Sequence, residues 1–140
     1  MEPEAEKPDM EEVIKADGRY PPMAYGFLHE GLNRAVREVH GKKAGPESQK
    51  PSEAPRDRHV SGKQLCLALR GLARERWGML APLVLGKWNI RSTLDFGNMV
   101  YVLVAAKWWG KTQEDSVEDF RDVYEFGEAF GSIDKVEIRQ

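Results

Sequence analysis

Apolar side chains recur at threes and fours along most of this chain, and the breaks in that spacing mark its turns. Met10, Val13 and Ile14 share one face of a short helix predicted over residues 10–16. Asp9 stands before it with Glu12 three residues on, the spacing of a capping box. Asp17-Gly18 ends it, because glycine enters the left-handed region at little steric cost. Tyr20-Pro21-Pro22 then resets the backbone, since a residue before proline avoids the helical region. Pro22 suits the first turn of the next helix, where its missing N–H is harmless. Tyr25, Leu28, Leu32, Ala35, Val36 and Val39 carry that helix to about His40, with Glu30, Arg34, Arg37 and Glu38 on its wet face.

Residues 41–57 (GKKAGPESQKPSEAPRD) are rich in Pro, Gly, Ser and charge and have no period, which predicts a flexible loop or linker. The densest apolar run follows, over residues 59–104. Ser61 and Gln64 form a second capping-box pair and open a central helix whose stripe is Leu65, Leu69, Leu72, Ala73 and Trp77, flanked by Cys66 and Ala68. Gly78 closes it, and a short helix is expected over residues 80–88, with Pro82 tolerated near its start. Residues 89–92 read as a turn and Thr93 as the next N-cap. Over residues 94–107, Val100, Val102 and Val104 alternate as in a strand, but Phe96, Met99, Val100, Leu103 and Lys107 obey helical spacing over a run long for a strand. The segment is assigned as helix.

Beyond a turn at residues 110–112, Ser116 precedes Asp119 at capping distance, and Val117, Phe120, Val123 and Tyr124 predict an acidic amphipathic helix to about Phe126. Residues 133–138 alternate like a short strand or a tail. The expected fold is mainly α: a compact domain of about five helices over residues 10–130, with a disordered acidic tail at 1–9 and a tail or short strand at 131–140.

A chain of 140 residues, 41% of them hydrophobic, suffices for one core without staples. The single cysteine, Cys66, forbids an intramolecular disulfide and fits a reducing compartment. The acidic N-terminus is the opposite of a signal or transit peptide. The longest uncharged apolar-rich run, 96–106, falls short of the ~20 residues that cross a bilayer. A soluble cytoplasmic protein without a membrane span is expected. The net charge of −2 is uneven: residues 59–111 hold 8 basic and 2 acidic side chains, and residues 112–140 hold 3 basic and 9 acidic. Either the basic centre packs against the acidic end, or it faces a polyanion.

Candidate chemistry is sparse. His29, His40 and His59 share no metal-ligand spacing with each other, with Cys66 or with paired carboxylates, so neither a metal nor a cofactor is expected. His29 reads as a partly buried helix residue. Asp57, His59 and Ser61 are the least poor catalytic set, but neighbours on one loop rarely reach triad geometry. Cys66 falls on an apolar helix face, as a small buried hydrophobe would. Asp95-Phe96-Gly97 lacks the phosphate and catalytic loops that would make it a kinase metal motif. The acidic cluster from Glu114 to Asp122 lacks the alternating ligand loop of a calcium site. Trp77 and Trp88 follow core spacing. Trp108-Trp109 ends an apolar helix, so the two rings are not both expected to point inward: the outer one either covers the acidic C-terminal helix or lies exposed beside Lys107 and Lys111, where it could meet a protein partner or a base.

Taken in order, YPPMAYGFLHEGL, HVSGKQL, WGMLAPLVLGKWNI, TLDFGNMVYVLV and KTQEDSVEDFRDVYEFGEAF resemble a small conserved bacterial family with no assigned activity. The resemblance runs from about Tyr20 to Phe130 and implies bacterial origin and one domain of that extent. It also implies acidic residues where this chain has Met23 and near Ala105. Pro82 and Asn89 depart from the family pattern too. Loss of those acidic positions weakens an enzymatic reading.

Two functional readings result. The first is a non-catalytic module that binds a protein or ribonucleoprotein through Trp108, Trp109, Lys107 and Lys111. The alternative is a helix-turn-helix-like nucleic-acid-binding domain that touches phosphates through Lys63, Arg70, Arg74 and Lys87.

Overall fold

The computed structural model describes residues 9–41, 60–109 and 116–130. Its elements are α1 (Met10–Asp17), α2 (Pro22–His40), α3 (Gly62–Trp77), a 3-10 turn (Gly78–Leu80), α4 (Ala81–Lys87), α5 (Thr93–Ala105), a second 3-10 turn (Val117–Phe120) and α6 (Phe126–Phe130). The fold is mainly α, and the described residues contain no strand. The remainder of the 41–57 loop, most of the N-terminal tail and the 131–140 segment lie outside the described residues.

Local chemistry explains most boundaries. Asp9 caps α1 by accepting from the Glu11 N–H, and Gly18 closes it in the left-handed conformation, donating its N–H to the Ile14 carbonyl. Pro22 occupies the first turn of α2, and a reciprocal Ser61–Gln64 capping box opens α3. The cap of α5 is Ser92 rather than Thr93, with Asp95 completing the box. Thr93 is already inside the helix and fully buried.

The core gathers Leu28 and Val36 from α2, Cys66 and Leu69 from α3, Leu85 from α4, Ile90, and Phe96 and Met99 from α5. Burial of each such side chain contributes about 1.5–3 kcal/mol. Helix α5 buries Phe96, Gly97, Met99 and Leu103, the 3.6-residue face, and leaves Val100, Val102 and Val104 half-buried. An alternating strand would have hidden the valines together. Gly31 lets α2 close on α3, since a Cβ there would fall 2.1 Å from Leu69 Cδ2. Arg34 joins the pair by donating to Glu75 and Glu38, and Arg76 meets Glu30.

The acidic segment after residue 116 does not form the amphipathic helix its spacing suggests. It is a 3-10 turn packed mainly on α5 and also on α3, a bend, and then the short α6 against α4, α3 and the Gly78–Leu80 turn, which together form a strap. Phe120 is the reason. Its ring enters a slot between Gly62 of α3 and Gly97 of α5, where a Cβ on either glycine would come within 3 Å of it. Thr93 Oγ1 donates to the Phe120 carbonyl at 2.6 Å and accepts from the Val123 N–H at 3.1 Å. Tyr124 donates its hydroxyl to the Cys66 carbonyl at 2.8 Å. These tertiary bonds fix an irregular backbone that i, i+3 contacts alone would have wound into a helix. Asp122 accordingly adopts a left-handed φ of 54°.

Candidate functional site

The predicted site residues divide between two ends of the fold. Lys107, after α5, has φ 68°, the left-handed conformation in which a side chain crowds the backbone. That turn swings the chain back, so the N–H groups of Trp108 and Trp109 both reach the Leu103 carbonyl, at 2.8 and 3.2 Å. Both tryptophans are half-buried against the core, and Trp109 lies 6.4 Å from the His29 ring. Neither ring is exposed, against the alternative that one would lie at the surface, and both turn inward where the sequence allowed only one. The reversal at Lys107 lets successive rings turn inward together. His29 is exposed on α2 rather than partly buried. Lys107 is exposed, whereas Lys111, Asp57 and His59 lie outside the described residues.

Lys63, Arg70 and Arg74 fall on one stripe of α3, with Leu67 between them and Lys87 apart on α4. Lys63 and Arg74 are exposed. Arg70 is half-buried, its guanidinium 5.7 Å above the Tyr124 ring, so the strap uses it. The strap also carries Glu118, Asp119, Asp122, Glu125 and Glu128, all exposed, with Glu118 paired to Arg121 of the strap itself. The acidic end thus packs against elements of the basic centre, and Arg70 over Tyr124 is a cation contact between them.

Two features escaped the sequence reading. The first is a polar hub centred on Asp95. Tyr20 donates its hydroxyl to Asp95 Oδ1 at 2.6 Å, while Oδ2 accepts from the N–H groups of Arg91 and Ser92 at 2.8 and 3.1 Å. Burial, together with that bond to a carboxylate, pushes the Tyr20 hydroxyl up to about 12. Tyr25 stands edge-on to Tyr20, its buried hydroxyl lacking a hydrogen-bond partner among the described residues. The hub ties α1 and α2 to α5 and saturates its own carboxylate, which suits a structural clamp. Cys66 is fully buried, and burial pushes its thiol up to about 12, so it is a poor nucleophile.

The second feature is a surface. Met79, Leu80 and Leu83 are 42%, 50% and 58% exposed. Leu80, Leu83 and Lys87 stand at spacings of three and four, and Met79 is one turn before Leu83, so all four share the outer face of the turn and α4. The inner face holds Ala81 and Leu85. Trp77 and Trp88, which flank the turn and α4 in sequence, pack edge-to-face at 5.6 Å, both against Phe27. Nothing in the run of apolar letters at 79–85 says which side turns outward. Only the docking of Ala81 and Leu85 decides it.

Among the described residues, no three His, Cys, Asp or Glu side chains gather as a metal site. No helix among them is long and apolar enough to cross a membrane. No family model, curated protein or solved structure matches the chain.

Proposed function

We propose that this chain is a non-catalytic interaction module that docks a protein or ribonucleoprotein partner through the outer face of the Gly78–Leu80 turn and α4. The observation that carries the reading is the exposure of three neighbouring apolar side chains, Met79, Leu80 and Leu83, on the 3-10 turn and short helix whose inner face buries Ala81 and Leu85. Solitary exposed leucines are ordinary, whereas contiguous ones mark contact surfaces. Covering these three side chains, each about half exposed, contributes about 2–5 kcal/mol, against an association cost of about 4–15 kcal/mol. The apolar anchors therefore need further contacts around them to hold even a weak, reversible complex.

The phosphate-binding alternative draws less support. The acidic strap packs against α3 and its Tyr124 already holds Arg70, which interrupts the basic stripe of Lys63, Arg70 and Arg74. Lys87 sits on a different element from the other three.

The test is purification of tagged protein from its own cells, as wild type and as Leu83→Glu, with and without nuclease. The reading expects a nuclease-resistant partner that the wild type retains and Leu83→Glu loses, with an unchanged Tm for the variant. An identical partner set on both proteins would refute it. Partners that vanish with nuclease, and that Leu83→Glu retains, would restore the nucleic-acid reading.

A further inference from the structure

The same face also has a sign. Residues 76–94 include Arg76, Lys87 and Arg91 and no acidic residue at all. Arg76 is engaged by Glu30, but Lys87 and Arg91 are exposed and make no ion pair among the described residues. Arg91 belongs to this surface, because its Nη1 lies 3.6 Å from where a Cβ on Gly86 of α4 would be. The elements that pack against the turn and α4 contribute two acidic side chains: Glu75, held by Arg34, and Glu128 of α6.

We infer that the partner segment is an acidic amphipathic helix, its apolar stripe seated on Met79, Leu80 and Leu83 and its carboxylates facing Lys87 and Arg91. This rests on the interaction reading above and adds the chemistry of the partner to it. The face is a convex stripe of side chains at helical spacing, which interlocks with the ridges of a second helix. The described residues offer no strand edge to which an extended peptide would add. From Leu80 to Lys87 the stripe rises about 10 Å, which matches roughly two turns of a partner with anchors at i, i+3, i+4 and i+7. Rim charges of this kind select partners by sign and speed encounter more than they add affinity. An anionic leaflet offers the same sign, but each basic residue adds only about 1 kcal/mol there. Two cations without an ion pair among the described residues are few for that surface.

The experiment titrates the full chain with two synthetic amphipathic helices that share one leucine stripe and differ only in a glutamate or a lysine polar face. Phosphatidylglycerol vesicles form a third arm. The glutamate peptide is expected to bind more tightly than the lysine peptide by roughly tenfold, about 1.4 kcal/mol. The double variant Lys87→Glu/Arg91→Glu should invert that order while retaining its Tm. Equal binding of the two peptides, sensitive to Leu83→Glu, would overturn the acidic partner and leave the docking face standing. Binding to neither peptide would also overturn the acidic helix, and the fate of the docking face would then follow from the Leu83→Glu purification. Binding to vesicles with neither peptide engaged would overturn both, in favour of a lipid surface.

Discussion

Replacing Thr93 by valine should release the strap that closes the domain. Valine keeps the shape of threonine and deletes one hydroxyl, so packing in this fully buried site is preserved. What is lost are two bonds, to the Phe120 carbonyl at 2.6 Å and from the Val123 N–H at 3.1 Å. An orphaned buried backbone group costs about 1–3 kcal/mol. Phe120 is buried and its carbonyl bears the full penalty, whereas Val123 is half-buried and its N–H can find water. A combined loss of about 2–3 kcal/mol follows, a large fraction of the 5–15 kcal/mol that holds a domain folded. At about 3–4 °C per kcal/mol for a domain of this size, Tm should fall by roughly 6–12 °C. Urea unfolding followed by tryptophan fluorescence gives the free energy. Hydrogen exchange of the 116–130 peptide shows whether the strap opens before the rest. Thr93→Ser, which keeps the hydroxyl, should hold exchange in this peptide near wild type. A Thr93→Val protein within about 0.5 kcal/mol of wild type, the scatter of neutral substitutions, with unaltered protection of the strap, would refute the reasoning.

Other consequences can be checked on the same instruments. Lys107 occupies a left-handed position better suited to glycine, so Lys107→Gly should raise stability by about 1 kcal/mol in urea unfolding. Tyr20 and Cys66 both ionise near 12 in the folded protein, against 10.0 and 9.0 when unperturbed. Their raised values favour the native state below pH 9, and that contribution is lost as pH climbs towards 12, because the unfolded chain releases the protons first. Tm should therefore fall across this alkaline window, and less steeply in Tyr20→Phe. Thiol reagents should modify Cys66 in native protein only at the rate of opening, and at once in urea.

The parts of this fold that were legible in the sequence are those whose local signals agree with one another. Helices α2 and α3 pair an uninterrupted 3.6-residue stripe with a proline start or a capping box, and Gly18 and Gly78 mark real stops. The valines of α5 were no obstacle, since the Phe96, Met99 and Leu103 face outweighs β-branching once it has a core to enter. Where reading failed, a partner distant in sequence decided the backbone. Ser116 and Asp119 do form the capping box that their spacing suggests, yet Phe120 leaves the helical path to fill the Gly62–Gly97 slot. Trp108 and Trp109 turn inward because Lys107 adopts a conformation that its residue type gives no reason to expect. The candidate face was hidden for a simpler reason. In a helix as short and uniformly apolar as α4, sequence carries no record of which side meets the core.

The most direct measurement is photo-crosslinking in the cell with benzoylphenylalanine placed at Leu83 or at Tyr101. Both side chains are more than half exposed, and they lie on different helices, α4 and α5. The account predicts a discrete protein adduct from position 83, absent from position 101, whose crosslinked peptide is acidic and amphipathic. Equal labelling from the two positions, or none from position 83 in protein that remains folded, would contradict it.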